Sequence, residues 1–205
     1  MNEIVQLDTA NDLRLKEYRN LRWNRKADAK TRDFIVEGRY CVERLLQSDY
    51  EVESILVTDG KSNEILEQLR AVTPVYSLPP AEISKLVGFD FHRGIMACAK
   101  RPVLNSMADF DQESNQPELA IALIGLCERE NVGSIMRTSA ALGVQRILLG
   151  PNTADPFARR TIRVSMGTVF RLKLYDLCDP AIQLPALVKR AGLRTIVTTL
   201  DQRAT

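Results

Sequence analysis

The second half of the sequence alternates apolar runs with helical segments, and this alternation restricts the possible folds more than any other feature. The run ELAIALIGLC (118–127) is continuously apolar, as is typical of a strand covered on both faces of a sheet. Helices are predicted for 131–143, 155–170 and 181–192, and further strands for 144–150, 171–175 and 193–199. Such repeated units favour a Rossmann-like parallel sheet in an α/β domain, with ligands beyond the carboxyl ends of its strands.

The first hundred residues predict a smaller α/β unit of their own. Helices are expected at 11–26 (capped by Asn11 or Asp12), 36–48, 62–72 and 80–88, and strands at 52–58, 74–78 and 94–100. The stretch 101–117 is polar with a proline at each end, which indicates a linker. We therefore expect a first domain at 1–100, a linker at 101–117 and a second domain at 118–205.

Several classes of protein are disfavoured by what the sequence lacks. No apolar run is long enough to span a bilayer, and the amino terminus has no secretory pattern. The four cysteines lie far apart, which predicts buried, reduced thiols in a cytoplasmic protein and no metal site. The phosphate-binding glycine motifs and a serine-hydrolase elbow are missing, and His92 is the only histidine.

Positive charge is concentrated in two runs, although the net charge is only +2. The first surrounds the single tryptophan, Trp23, and comprises Arg14, Lys16, Arg19, Arg22, Arg25, Lys26, Lys30 and Arg32. The second has no acid within it and comprises Arg159, Arg160, Arg163, Arg171 and Lys173. A solvated helix face explains one such run equally well, but two runs with an aromatic residue favour a nucleic acid partner.

A short motif follows the first strand of the second domain, and it carries the functional argument. In E-R-E-N-V-G-S-I-M-R-T-S (128–139), Asn131 and Gly133 are predicted to lie where the strand turns into a helix. Arg137 is a lone cation in a helix that is otherwise small or apolar, and an arginine held there can bind an RNA phosphate. On these residues alone, a helix cap and a surface arginine are the more ordinary interpretation.

Three blocks of sequence, in order, resemble one family. The run N-V-G-S-I-M-R-T-S-A-A-L-G (131–143) resembles the first signature of the SpoU (TrmH-type) RNA methyltransferases of the SPOUT superfamily. D-P-F-A-R-R-T-I-R-V-S-M-G (155–167) resembles the segment that follows it, with Arg163, Ser165 and Gly167 matching. F-I-V-E-G-R-Y-C-V-E-R-L-L (34–46) and F-H-R-G-I (91–95) are similar to the family's substrate-binding domain, so the resemblance covers nearly the whole chain.

The resemblance implies an activity and a partner. It implies methyl transfer from S-adenosylmethionine to a ribose 2′-hydroxyl of ribosomal or transfer RNA by a homodimer, with Arg137 catalytic and Asn131 shaping the site. Because a guanidinium stays protonated, Arg137 is expected to orient the hydroxyl and its phosphate rather than act as a base. The expected RNA contacts are Arg22, Arg25, Lys26, Arg32, Arg39, Arg163 and Ser165. Arg93 is a further candidate, with a turn cap as the alternative.

The family's remaining signatures do not occur in these 205 residues. They are a strand leading to a Gly-Glu loop and a proline-bearing loop with a Ser-Leu-Asn helix, which form the trefoil knot and most of the cofactor pocket. We expect this segment to lie beyond Thr205, so that only Thr198, Thr199 and Leu200 reach the cofactor and residues 1–205 alone bind it weakly. The alternatives are a non-catalytic RNA-binding protein derived from the family and an enzyme acting on a small metabolite.

Overall fold

The computed structural model describes residues 3–21, 33–60, 64–69, 73–111 and 119–198. Within them, eight strands form two sheets. The first sheet contains β1 (Ile4–Gln6), β2 (Asp33–Glu37), β3 (Val52–Thr58), β4 (Val75–Leu78) and β5 (Ile95–Lys100). The second contains β6 (Ala120–Leu123), β7 (Arg146–Leu149) and β8 (Lys173–Asp176). Five α-helices accompany them: α1 (Arg39–Leu46), α2 (Pro80–Val87), α3 (Arg129–Ala141), α4 (Arg159–Val164) and α5 (Pro180–Ala191).

The first sheet is mixed, in the order β1-β4-β3-β5-β2. Strands β1, β4 and β3 are parallel, and β5 runs antiparallel to both of its neighbours. The predicted strands at 52–58, 74–78 and 94–100 are confirmed, as is the helix that ends at Gly88, whose φ of 82° is left-handed. The α/β class of this half is therefore confirmed.

Three predicted helices of the first half differ from the observed ones in extent or type. The helix expected at 36–48 is helical only over Arg39–Leu46. Its first two residues belong instead to β2, which spans 33–37. Antiparallel pairing with β5 fixes the extended conformation, and Gly38, with φ of 91°, separates strand from helix. The expected helix 11–26 is a 3₁₀ helix at Leu13–Tyr18, with Asp12 accepting from the backbone N–H of Arg14 as predicted. The helix expected at 62–72 is a 3₁₀ helix at Glu64–Gln68 in the described part.

The second sheet is parallel, in the order β6-β7-β8, which confirms strand–helix layering. β6 is shorter than predicted and not covered on both faces: Ala122 is exposed, and Leu119 just before it is 67% exposed. The expected helix 155–170 is interrupted after Val164, since Met166 and Gly167 have positive φ angles of 58° and 75°. Residues 193–198 do not form the predicted fourth strand; Ile196 is 83% exposed, away from any strand that would pair with it.

The two sheets share one hydrophobic core. Phe34 of the first sheet has its ring centroid 5.1 Å from that of Phe157 and 6.0 Å from that of Phe170, both from the second half. The described part of the predicted linker also packs against the second half: Phe110 is 3% exposed, and the Asn105 N–H donates to the Leu174 carbonyl. Residues 101–111 therefore join the halves through contacts, rather than acting as a loose tether.

Only two of the four cysteines are buried. Cys41 and Cys98 lie in the core, as predicted, but Cys127 and Cys178 are exposed. The prediction fails for Cys127 because β6 ends at Leu123 and leaves the end of the apolar run in a loop. Cys178 likewise follows the end of β8. In the part of the chain that the structure describes, no helix has the length and apolar character needed to cross a membrane.

Candidate functional site

Helix α3 carries the motif that the sequence singles out. Glu128 occupies the N-cap position, and its carbonyl accepts the first helical hydrogen bond, from Val132 N–H at 3.1 Å. Asn131 is thus an exposed residue within the first turn rather than the predicted cap. The helix begins before the asparagine because Arg129 and Glu130 already adopt helical conformation.

Gly133 allows α3 and α4 to approach closely. A Cβ atom placed on Gly133 would lie 2.8 Å from the Thr161 carbonyl oxygen and 2.9 Å from Val164 Cβ. Such distances are shorter than van der Waals contact, so any larger residue would push the helices apart. The close neighbour that the missing side chain admits is therefore α4, and not a ligand.

Arg137 lies on α3 one turn beyond Gly133, on the flank that adjoins α4. Its side chain is exposed, and among the described residues it makes no hydrogen bond or ion pair. The neighbouring Met136 and Ser139 are buried, so the backbone that carries the guanidinium is firmly packed. Arg137 can therefore accept an anionic or hydroxyl partner from outside the chain without first breaking an internal contact.

Asn131 and Arg137 do not share a face of α3. Their separation of six residues corresponds to roughly 9 Å along the axis and a rotation of about 120°. Arg137 is also about 12 Å from the first residue of the helix, so it lies away from the carboxyl edge of the sheet, where α3 starts. A ligand that contacts both side chains must therefore extend around the helix.

The second matched segment forms α4 and the turn after it. Ser165 is completely buried, and its hydroxyl donates to the Ile162 carbonyl at 2.9 Å, so it stabilises the turn. Its side chain is therefore not accessible for the RNA contact that the sequence predicted. Gly167 is close to the first half: an added Cβ would lie 3.2 Å from Cys41 Cα. Arg163 is half-buried and, in the described part of the chain, contacts no carboxylate.

The remaining predicted site residues fall into two groups. Arg39 is exposed in the first turn of α1, and Thr198 is exposed in the irregular segment after α5. The others lie outside the described residues: Arg22, Arg25, Lys26, Arg32, Thr199 and Leu200. Of the basic run around Trp23, Arg14, Lys16 and Arg19 are described, and of the expected cofactor contacts only Thr198 is.

One charged cluster between the two halves was missed by the sequence analysis. Glu37 is only 6% exposed, and its carboxylate lies 3.2 Å from Arg93 Nε and 3.2 Å from a terminal nitrogen of Arg159. The Arg159 guanidinium also donates to the Leu21 carbonyl and lies 4.6 Å from the centroid of the Phe89 ring. The available signal was an acid at the end of the apolar run F-I-V-E, since a buried carboxylate requires cationic partners.

A second ion pair joins the halves at the other side of the shared core. Arg101, just after β5, donates to both carboxylate oxygens of Asp155, at 2.7 and 2.8 Å. Its guanidinium also lies 5.3 Å from the centroid of the Phe157 ring. A bidentate pair with restricted exposure fixes orientation as well as distance, so the loop before α4 is held against the first sheet.

The structure thus joins a parallel α/β unit, which carries Arg137 on α3, to a five-stranded mixed-sheet unit. Family models agree: residues 118–205 match the SpoU rRNA Methylase family, and residues 35–103 match the RNA 2'-O ribose methyltransferase substrate binding domain. The two matches follow one another along most of the chain. This chain therefore belongs to the SpoU methylase family.

Similar proteins include a Mycobacterium tuberculosis protein named as an uncharacterized tRNA/rRNA methyltransferase, which is 32% identical over 192 residues, covering 92% of this chain and 65% of that protein. The chain thus spans about 65% of the length of the relatives it matches at that identity. The Bacillus subtilis 23S rRNA (guanosine(2553)-2'-O)-methyltransferase RlmP is 26% identical over 204 residues, with 97% of this chain and 75% of that protein covered.

Solved structures share the fold. A crystal structure of an RNA 2'-O ribose methyltransferase superposes with a TM-score of 0.67 at 26% identity, covering 92% of this chain and 71% of that one. The SpoU methyltransferase AviRb of Streptomyces viridochromogenes, in complex with AdoMet, gives a TM-score of 0.71 at 19% identity, with 88% and 69% covered. At that lower identity, the likeness to AviRb concerns the fold alone.

Proposed function

We propose that the protein transfers a methyl group from S-adenosylmethionine to a ribose 2′-hydroxyl of ribosomal or transfer RNA. The observation that carries the proposal is the exposed, unpaired guanidinium of Arg137 on α3, within the segment that matches the SpoU methylase model. The names of the relatives, which are RNA methyltransferases, support the same reaction. In this proposal, residues 1–100 bind the RNA, 101–117 connect the domains and 118–205 contribute to catalysis.

Arg137 positions the reacting ribose. Its guanidinium donates hydrogen bonds to the phosphate next to the target nucleotide and orients the 2′-oxygen toward a methyl donor bound by the partner subunit, because Arg137 lies away from the carboxyl edge of its own sheet. It remains protonated at neutral pH and therefore does not remove the hydroxyl proton. Asn131, on another face of α3, shapes the site near the start of the helix. When bound, S-adenosylmethionine supplies an electrophilic methyl group on a sulfonium.

The cofactor is proposed to bind at the carboxyl edge of the second sheet, as ligands of parallel sheets generally do. The described residues fit part of such a site. Gly125, in the loop after β6, has φ of 68°, and an added Cβ there would meet no atom within 4 Å, so the space beside this loop is open. Thr198, Thr199 and Leu200 are the proposed further contacts, and Thr198 is exposed.

A homodimer in the cytoplasm is the proposed state of the protein. Several large apolar side chains of the second half are exposed, among them Leu142 at 77%, Leu119 at 67% and Ile182 at 69%. Exposed apolar side chains on this scale favour burial against another surface. The family resemblance implies a dimer in which each site lies close to the partner subunit. Arg137 would then act across the interface.

The test is methyl transfer by the complete protein. Purified protein, radiolabelled S-adenosylmethionine and unmodified ribosomal or transfer RNA transcripts are expected to yield labelled 2′-O-methyl nucleotides. The Arg137→Ala variant should lose at least about a hundredfold in kcat while its affinity for RNA is retained, because a preorganised donor is removed. Lys189→Ala, at an exposed position in the last turn of α5 and outside both basic runs, is the control and should behave as wild type.

The second candidate, a non-catalytic RNA-binding protein, gives a different result. It is favoured by the exposed and irregular position of Thr198, which builds no pocket with the described residues. In that case the complete protein binds RNA but neither wild type nor variants transfer label. RNA binding together with unchanged methylation by Arg137→Ala would instead keep the enzyme and remove Arg137 from its site.

A further inference from the structure

The junction between α1 and α4 brings together charged residues from both halves of the chain. We call this the α1–α4 junction, formed by residues 37–44 and Arg93 on one side and residues 159–167 on the other. Its backbones are in close contact: Cys41 Sγ lies 3.8 Å from the Ile162 carbonyl oxygen, and an added Cβ on Gly167 would lie 3.2 Å from Cys41 Cα. The relative position of the side chains across the junction is therefore well fixed.

Arginines outnumber carboxylates at this junction. Arg93 and Arg159 share the single carboxylate of Glu37, and Arg44 donates to the Met166 carbonyl. Glu37 is the one acidic side chain among the buried residues that the structure describes. The junction also contains Glu43, which is half-buried on α1, and Arg160, which pairs with Glu130. Arg39, Arg44, Arg93, Arg159 and Arg163 still outnumber Glu37 and Glu43, so the junction has an excess of positive charge.

Arg163 is a further arginine of this junction, on α4. It follows Arg159 by one turn of α4 and so lies on the same face of the helix, toward the first half of the chain. Its side chain is half-buried, yet within the described ranges no carboxylate or hydrogen-bond acceptor contacts it. Removing a guanidinium partly from water without giving it a hydrogen-bond partner costs free energy. An anionic ligand would offset this cost, because it accepts charge-assisted hydrogen bonds from the guanidinium.

Glu37 links Arg93 to α4, because its carboxylate contacts both Arg93 and Arg159, and Arg163 lies one turn beyond Arg159. Burial raises the pKa of the Cys41 thiol, and the positive charges of Arg44, Arg93 and Arg163 act in the opposite direction. Three guanidinium groups therefore lie within electrostatic reach of one side chain. Arg93 is half-exposed, with 51% of its side chain accessible, so it can contact a ligand while it keeps its bond to Glu37.

We propose that the α1–α4 junction binds the phosphate backbone of the RNA substrate, with Arg163 and Arg93 each contacting a phosphate. Glu37 and Arg159 are positioning residues that hold these two arginines in place. Because Arg93 and Arg163 come from different halves, an RNA strand bound here crosses from the substrate-binding half to the methylase half. The inference rests on the proposed function, since it names where that function's RNA is held.

The test is the salt dependence of RNA binding by the complete protein, with protein-free ribosomal RNA and bulk transfer RNA as probes. Each phosphate contact contributes about one unit to the slope of log Kd against log salt concentration. Arg163→Gln and Arg93→Gln should each lower the slope by about one and weaken binding roughly tenfold, and the double variant should lower it by about two. Arg163→Lys, which retains the charge, should keep the wild-type slope.

Lys189→Gln is the control, because Lys189 is exposed in the last turn of α5 and belongs to neither basic run. It should leave the slope within error of wild type. Arg163 loses no described partner on substitution, so Arg163→Gln should keep the melting temperature of wild type and its result is not confounded by unfolding. An unchanged slope for Arg163→Gln, or an equal loss for Lys189→Gln, overturns the junction while leaving the proposed function intact. If the wild-type protein binds neither ribosomal RNA nor transfer RNA, the proposed function itself is wrong.

Discussion

At the scale of single residues, the buried carboxylate of Glu37 joins the two halves of the chain. It is close to two guanidinium groups from different halves of the chain, and a buried charge is tolerated only when such partners are present. The sequence indicates that F-I-V-E ends in an acid, but it gives no indication that Arg159, far along the chain, supplies a counter-charge. Pairings of this kind are decided by tertiary contact.

Glu37→Gln should lower the free energy of unfolding by about 2 kcal/mol. This is less than the usual cost of breaking a fully buried pair, because Arg93 is half-exposed and water partly compensates its charge. Denaturant unfolding of the complete protein measures the change. Glu53→Gln is the control: Glu53 is exposed and lies 2.9 Å from Lys100, so its loss should cost less than about 0.5 kcal/mol. Equal effects for both variants would contradict the burial argument.

The cysteines should divide into two reactive and two protected thiols. Burial raises the pKa of Cys98 from an ordinary value of 9.0 to about 12, and it raises that of Cys41, whereas Cys127 and Cys178 are exposed. A chromogenic disulfide reagent at pH 8 should therefore modify two thiols rapidly, and all four in denaturant. Cys127→Ser should leave one rapidly reacting thiol; four rapid reactions in the native protein would contradict the prediction.

The raised pKa of Cys98 determines the direction in which the stability of the fold changes with pH. A thiol whose pKa is raised on folding is protonated in the native state over a wider range than in the unfolded chain. The contribution of Cys98 to stability is therefore complete below about pH 9 and is lost as the pH rises from there to about 12. Cys98→Ala should accordingly flatten the loss of stability in that alkaline interval.

At the scale of elements, the contact between α3 and α4 depends on Gly133. Its missing side chain lets the Thr161 carbonyl and Val164 lie against the helix that carries Arg137. The sequence predicted α3 to within about two residues. That the close neighbour is a second helix, six residues long, follows only from the packing.

Gly133→Ala should destabilise the protein by about 1–2 kcal/mol. Alanine favours helix over glycine by nearly 1 kcal/mol, but the added methyl would be 2.8 Å from a backbone oxygen, and overpacking of this kind costs about 1–3 kcal/mol. Thermal unfolding monitored by circular dichroism measures the net effect. Ser134→Ala, at the adjacent exposed position, is the control and should change stability little. A more stable Gly133→Ala variant would show that α4 moves away without cost.

At the scale of the whole molecule, the two sheets are one folding unit because their side chains meet in a single core. Phe157 of the second half is 2% exposed and contacts Phe34 and Tyr50 of the first, with ring centroids 5.1 and 5.8 Å apart. The ion pair of Arg101 with Asp155 closes the same contact from the surface. The two halves are therefore held in a fixed relative orientation.

Phe157→Ala should destabilise both halves together, by about 3–5 kcal/mol. Hydrogen exchange of amides in β3 and in β7 reports each sheet separately, and both should lose the same protection under conditions where global unfolding dominates. Tyr40→Ala, at a side chain that is 67% exposed, is the control and should leave both unchanged. A loss confined to β7 would show that the halves unfold independently.

The sequence by itself determined the class of the fold, most strands and the identity of the arginine on α3. Hydrophobic periodicity and capping residues are local properties, and they fix strands such as 52–58 and helix ends such as Gly88 and Gly192. The family resemblance likewise rests on short local blocks, and the family models match those same regions.

Only the tertiary structure decided which residues meet. It turned residues 33–37 into a strand through pairing with β5, buried Ser165 in a turn, and left 193–198 without a pairing strand. It also brought Glu37 to Arg159 and, among the described residues, left Arg163 without a counter-charge beside them. Local patterns cannot give these outcomes, because the free energy of a strand, a buried polar group or an ion pair depends on partners distant in sequence.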